Sequence, residues 1–166
     1  MLLRKLICSL AFSLVVFPSV GIRAQSEASL PRRVVDALKA KEPNWKYVSA
    51  IESAHVPLVP SERRIIVGTW QGPKSPSQDV VVSVYSVENR EEAAKWLQPF
   101  RDKHVADGWQ ISAFQIGEEG YLSKYKDGNR FEIEFRKGTV VARIAGDEAD
   151  RVKEFAQCVF EQIPAN

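Results

Sequence analysis

Residues 130–145, RFEIEFRKGTVVARIA, decide the fold class because they predict a β-hairpin. In the first arm, Phe131, Ile133 and Phe135 alternate with charged residues, a pattern typical of a strand with one face on the core and the other in water. The positions expected to face solvent are Arg130, Glu132, Glu134 and Arg136. A Lys-Gly pair predicts the turn, and the β-branched residues after it predict the second arm. The hairpin therefore predicts a sheet with one face partly exposed to solvent.

Hydrophobic periodicity extends this hairpin into a larger sheet with helices. Further strands are predicted at 47–53, 64–71, 79–87, 109–116 and 121–126. Helices are predicted to begin at Ser29, at Asn89 and at Asp147, and Pro99 predicts a kink or a break in the second helix. Because short turns join many strands, we predict an α+β fold. It has a mainly antiparallel sheet of about six or seven strands with helices packed on it.

The N-terminus has the pattern of a secretory signal peptide. Arg4 and Lys5 precede an apolar run over 6–17, and Ala24 is the small residue after which cleavage is expected. The run is shorter than the roughly 20 residues of a membrane-spanning helix, so we expect no stable membrane insertion once the signal is removed. The predicted organisation is a signal peptide over 1–24 and a single α+β domain over 25–166, exported to the periplasm or secreted.

Charge and cysteine content argue against several classes of partner. The precursor has 23 basic and 21 acidic side chains, and loss of three arginine and lysine residues with the signal leaves a formal charge of −1. A near-neutral domain without a basic block has no electrostatic footprint for nucleic acid. Cys158 is the one cysteine after the signal, so no internal disulfide is expected, and its place near a helical apolar stripe predicts a buried thiol.

The sequence contains no motif that predicts catalysis, a metal site or a cofactor. His55, His104 and Cys158 have none of the spacings of a zinc site, no nucleophile elbow occurs, and the acids of Gly117-Glu118-Glu119-Gly120 would repel phosphate, so this segment predicts a turn. We therefore predict no catalytic residue, no metal ligand and no cofactor.

Two arrangements would allow catalysis without a familiar motif. Glu132 and Glu134 share a strand face and could form an acid–base pair. An enzyme with an unfamiliar site would instead show a deep cleft holding a titratable group with a shifted pKa, for which His104, Glu118 and Glu119 are the candidates.

Aromatic side chains at the ends of elements add to a candidate binding surface on the charged strand. Rings at such positions either pack at the edge of the core or line a ligand groove. The candidate residues for this surface are Arg130, Glu132, Glu134, Arg136, Trp70 and Tyr121.

Three segments resemble a pattern found in uncharacterised exported bacterial proteins. The segments are VYSVENREEA (84–93), IGEEGYL (116–122) and FRKGTVVARI (135–144). In that pattern a strand leads into a helix, a glycine-acid-glycine-tyrosine turn follows, and a lysine-glycine hairpin precedes the last helix. The resemblance covers about residues 80–160 and implies an α+β fold and export, without implying an activity.

Together these observations favour a non-catalytic module of the cell envelope or periplasm that binds a small ligand or a protein partner. Export, a partly open sheet face and the lack of a catalytic set of residues support this hypothesis. A structural or assembly protein of the envelope is the first alternative, and an enzyme with an unrecognised site is the second.

Overall fold

The structure, a computed structural model, describes residues 29–49, 52–55, 63–74 and 78–165. The predicted signal peptide lies outside these residues. The elements in chain order are α1 (Leu30–Lys41), β1 (Lys46–Ser49), β2 (Glu52–His55), β3 (Arg63–Gln71), β4 (Asp79–Ser86), α2 (Arg90–Ala106), β5 (Gln110–Ala113), β6 (Glu119–Lys124), β7 (Phe131–Lys137), β8 (Val140–Gly146) and α3 (Ala149–Gln162). None of these helices has the length and apolarity of a membrane-spanning segment.

The strands form one antiparallel sheet in the order β1-β3-β4-β8-β7-β6-β5, and β2 also pairs with β3. The predicted hairpin is β7–β8, in register from Phe131 opposite Gly146 to Lys137 opposite Val140. The single strand predicted over 47–53 is instead two short strands, because the pairing with β3 is irregular on each of them. The predicted α+β class and antiparallel sheet are confirmed.

Helices cover both faces of the sheet. Alternate residues of β4, β7 and β8 contact α3, while α1 contacts β3 and α3, and this face carries the main apolar core around Trp70, Ile133 and Phe155. The intervening residues face α2, where Trp96, Leu97 and Phe100 pack on the sheet. Beside α2, β4 and β8 leave a shallow cavity of about 60 Å³. The sheet face under α2 is therefore partly open, as predicted.

The second helix begins as its sequence predicts but is not interrupted by its proline. Asn89 Oδ1 accepts a hydrogen bond from the backbone N–H of Glu92 at 2.9 Å, which caps the helix N-terminus. The prediction at Pro99 was a kink or a break, and a break is not found, because α2 runs from Arg90 to Ala106. The buried side chains on either side of the proline, Trp96 and Phe100, anchor both halves to the same sheet.

Candidate functional site: a buried ion cluster beside a surface cleft

Two charged side chains of β7, Glu132 and Glu134, lie under α2, and the expectation that Arg130, Glu132, Glu134 and Arg136 all face water is wrong. Glu132 is 2% exposed and Glu134 is 1% exposed. The Arg136 side chain is 18% exposed, and only Arg130, at 52%, is mostly in solvent. Alternation along a strand shows which residues share a face. It does not show that a helix covers that face.

Strand register brings polar residues from four strands into one row on this face. Ser83, Arg143, Glu134 and Tyr121 are neighbours across β4, β8, β7 and β6. Glu132 and Ser123 form part of the adjacent row. His104 reaches down from α2 onto both rows, with Nδ1 3.2 Å from Ser123 Oγ. We call His104, Glu132, Glu134 and Arg143 the ion cluster.

Glu132 is the carboxylate of the ion cluster whose two oxygens both have hydrogen-bond partners. Its Oε2 accepts a hydrogen bond from Arg143 Nε at 2.8 Å and contacts Arg143 Nη2, and it lies 3.2 Å from His104 Nε2. Its Oε1 accepts from Arg130 Nε at 3.4 Å. Burial opposes ionisation of this carboxyl group, but the bond to His104 and the charge and bonds of Arg143 outweigh it and lower the pKa of Glu132 to about 2.

Glu134 is the carboxylate that this cluster leaves unsatisfied. Within the described chain neither of its side-chain oxygens has a hydrogen-bond partner. The nearest basic side-chain nitrogens are Arg143 Nε, 3.5 Å from Oε1, and His104 Nδ1, 3.6 Å from Oε2. Burial raises the pKa of Glu134, although nearby Tyr121, His104 and Arg143 partly offset this effect. The Tyr121 hydroxyl donates to the Leu97 carbonyl at 3.1 Å, and burial raises its pKa.

The ion cluster contains a set of atoms that could ligate a metal, yet a cation already stands among them. Donor atoms of His104, Glu132 and Glu134 lie within 4.8 Å of one another and are buried. Arg143 contacts both carboxylates, so a divalent ion would have to enter against a guanidinium charge in a site with little solvent screening. The arrangement therefore fits a closed ionic contact between α2 and the sheet better than a metal centre.

A surface cleft lies beside this cluster, between the C-terminal half of α2 and the strands β5 and β6. Its volume is about 510 Å³, within the range of small-molecule sites. The residues that line it are Arg101, Val105, Trp109, Ile111, Ser112, Ala113, Glu119, Gly120 and Tyr121. Val105 is 62% exposed at its rim. Trp109 stacks on His104 with ring centroids 4.5 Å apart, so the cleft and the ion cluster share a wall.

The acidic turn predicted at 117–120 is found next to the cleft, where it binds arginine. Arg136 contacts Glu118 through Nη1 and Glu119 through Nε, the latter at 3.3 Å. The backbone N–H of Gly138 donates to Glu118 Oε1 at 2.9 Å, and this bond is the main cause of the lowered pKa of Glu118. The turn thus ties β6 to the β7–β8 hairpin.

The six residues of the predicted binding surface do not form one surface. Trp70 is fully buried on the opposite face of the sheet, where its ring meets Phe155 at 5.9 Å. Tyr121 is buried in the wall of the cleft, and the two glutamates lie inside the ion cluster. Arg130 and Arg136 contact these acids from the periphery. The structure brings together Glu132, Glu134 and Tyr121, but under a helix.

Cys158 is buried in α3, as predicted, and burial raises the pKa of its thiol. Because α3 covers the other face of the sheet from α2, the sheet separates Cys158 from His104. The side chain of His55 lies outside the described part of the structure.

Sequence reasoning missed the ion cluster because its members come from three separate elements with no characteristic spacing. One signal was present: His104 follows Trp96 and Phe100 at helical spacing, so it belongs to the stripe that faces the sheet. A buried histidine on such a stripe needs a polar partner on the opposing strand. The alternating acids of β7 are the residues that meet it.

Comparison with known proteins supports the fold and leaves the function open. No protein-family model and no curated protein sequence matches the chain. A solved structure of a GTP binding regulator from Thermotoga maritima is similar, with a TM-score of 0.53 and 12% sequence identity. The match covers 81% of this chain and 87% of that one. At this identity the likeness concerns the arrangement of helices and strands.

Proposed function

We propose that this protein is an exported, non-catalytic binding module that takes a small ligand with both apolar and polar parts in the cleft beside α2. The observation that carries the proposal is the cleft itself. It has about 510 Å³ of space, and apolar side chains such as Val105 and Ile111 share its lining in similar measure with polar ones such as Arg101, Ser112 and Glu119. Concave sites that combine apolar and polar lining are the usual form of small-molecule sites.

A binding role fits the described polar groups better than catalysis does. Glu132 is ionised, and its oxygens are occupied by two arginines, Arg130 and Arg143, and by the His104 ring. Glu134 is 1% exposed and does not line the cleft. A general acid or base must come within hydrogen-bond reach of the substrate. Neither carboxylate of the candidate acid–base pair meets that requirement in this arrangement.

The charged, apolar and small-residue order of the first 24 residues supports export, and the proposed place of the module is the periplasm or the outside of the cell. A protein partner is the second candidate occupant of the same region. In the described chain β5 pairs with β6 alone, so its other edge can accept an extended segment beside the cleft.

The binding proposal is tested with a substitution whose side chain fills the cleft. Ala113 is exposed, lines the cleft and shares the α2 face with its neighbour Tyr121, so Ala113→Phe inserts a ring without disturbing the core. Ala40→Phe, at an exposed position of α1, is the matched control. We expect the neutral dye Nile red to bind the parent protein and the control. The Ala113→Phe variant should bind it at least about tenfold more weakly.

Native mass spectrometry of the protein from its own envelope fraction provides the second readout. An additional mass that denaturation removes would identify the natural ligand. If Ala113→Phe and Ala40→Phe bind Nile red alike, the cleft is not the binding site and the proposal fails. A fixed multimer that buries the cleft would support the assembly alternative instead.

A further inference from the structure

We infer that the ligand of the cleft is an amphipathic carboxylic acid whose carboxylate is bound by Arg101. This inference rests on the proposed function and specifies the chemical class of the ligand. It is carried by the position of Arg101 at the cleft, by the way the other charges of α2 are paired, and by the hydrogen bonds already made by the other polar groups of the lining.

Both lysines of α2 form ion pairs with nearby acidic side chains, whereas Arg101 does not. Lys95 binds Glu91 at 2.7 Å, and Lys103 binds Asp107 at 2.8 Å, in both cases four residues away. The residues four positions from Arg101 are Leu97 and Val105, which cannot pair with it. Within the described chain Arg101 forms no ion pair and no hydrogen bond, although its charge acts on nearby Tyr121.

Three other polar side chains of the cleft, those of Ser112, Glu119 and Tyr121, already have partners, and the indole N–H of Trp109 is uncharged. Glu119 is paired with Arg136. The hydroxyl of Ser112 donates to the Leu122 carbonyl at 3.3 Å, and that of Tyr121 donates to the Leu97 carbonyl. The guanidinium of Arg101 is therefore the charged donor that remains available to a ligand in this cleft.

Arg101 and the apolar part of the lining bind different parts of the ligand, its charged group and its apolar body. A guanidinium presents a planar fork of donors that matches a carboxylate with two parallel hydrogen bonds. Val105 lies one turn further along the same edge of α2, and Ile111 and Trp109 complete an apolar wall. An aromatic or branched aliphatic acid places its body on this wall and its charge on Arg101.

The test compares three probes that share one body: 3-phenylpropionate, 3-phenylpropan-1-ol and 3-phenylpropylamine. Each is titrated calorimetrically into the purified full-length protein, and the indole N–H resonance of Trp109 reports whether the probe lies in the cleft. Arg101→Gln removes the charge at an exposed position, so the fold is retained. Lys103→Gln is the matched control, because it removes one positive charge from the same helix outside the cleft.

We expect the acid to bind most tightly and the amine most weakly. Because Arg101 is exposed and its interaction is screened by water, Arg101→Gln should weaken binding of the acid about three- to tenfold, to the level of the alcohol. Lys103→Gln should leave it unchanged. Added salt should weaken binding of the acid more than binding of the alcohol.

Equal affinity for acid and alcohol would overturn the inference, as would equal effects of the two glutamine variants or tightest binding of the amine. If no probe binds while Nile red remains sensitive to Ala113→Phe, the ligand class is wrong and the binding function stands. If Nile red is also insensitive to that substitution, the proposed function itself fails.

Discussion

Replacing Glu132 by glutamine should lower stability, whereas replacing Glu134 by glutamine should leave it unchanged or raise it. The two residues lie two positions apart on one strand face, and both are buried beside the same histidine and arginine. Glutamine preserves the size of each side chain and removes its charge. The difference between the variants therefore measures what each negative charge contributes to the ion cluster.

For Glu132, the magnitude follows from its pKa, which is lowered from 4.5 to about 2. One pKa unit corresponds to about 1.4 kcal/mol, so the ionised carboxylate contributes about 3 kcal/mol at neutral pH. Because the folded-state pKa lies below the unfolded one, this contribution is present above pH 4.5 and is lost as the pH falls from 4.5 to 2. Glu132→Gln should lose about 2–4 kcal/mol and also this part of the acid sensitivity.

For Glu134, burial raises the pKa and so destabilises the ionised form. Its unfolded-state carboxyl releases a proton at lower pH than the folded one, so the free energy of unfolding decreases as the pH rises above 4.5 through the folded-state pKa. Glu134→Gln removes this cost. The variant should be as stable as the parent at neutral pH or more stable, and its stability should depend less on pH above 4.5.

Urea denaturation followed by circular dichroism, repeated from pH 3 to pH 8, measures both effects. The slope of unfolding free energy against urea must stay constant, which shows that the variants share one folded state. Equal destabilisation by both substitutions would refute the reasoning, because it would mean that the two carboxylates are equally well compensated. A larger loss of stability for Glu134→Gln than for Glu132→Gln would mean that Glu134, and not Glu132, is the better compensated carboxylate.

Two further predictions concern the backbone and the free thiol. Gly117→Ala should cost more than Gly108→Ala in thermal unfolding, by about 1 kcal/mol or more. Both glycines have positive φ, but a Cβ at Gly117 would meet the Arg136 carbonyl, whereas one at Gly108 would meet nothing. Equal melting temperatures of the two alanine variants would contradict this contact. In a Cys8→Ser background, Cys158 should react with a thiol reagent far more slowly in buffer than in urea, because it is 4% exposed. Rapid stoichiometric labelling of the folded protein would show that α3 leaves the thiol accessible.

Local patterns in the sequence predict the elements of this fold well. The β7–β8 hairpin follows from strict alternation and a Lys-Gly turn, and the start of α2 follows from Asn89 and Glu92, which form the expected cap. These features depend on residues close together in the chain, so their physical causes can be identified from the sequence. Element ends were less accurate: β5 stops at Ala113, three residues before the predicted end.

The candidate site could not be predicted in the same way, because it depends on which helix covers which sheet face. The sequence shows that Glu132 and Glu134 share a face, and that His104 belongs to an apolar stripe. Only the crossing of α2 over β6, β7 and β8 makes these residues neighbours. The cleft likewise depends on the position of Val105 and Arg101 above β5, which no local pattern encodes.

The order of the strands has a consequence for when the protein can fold. The centre of the sheet is the β4–β8 pair, in which Val80 lies opposite Gly146, so the first half of the chain meets its main partner only near the C-terminus. Until β8 has been synthesised, β4 presents an open edge. Such distant pairing slows folding relative to local pairing. Under the proposed export through a secretory channel this delay would be an advantage, because the sheet closes only after nearly all of the residues have been made.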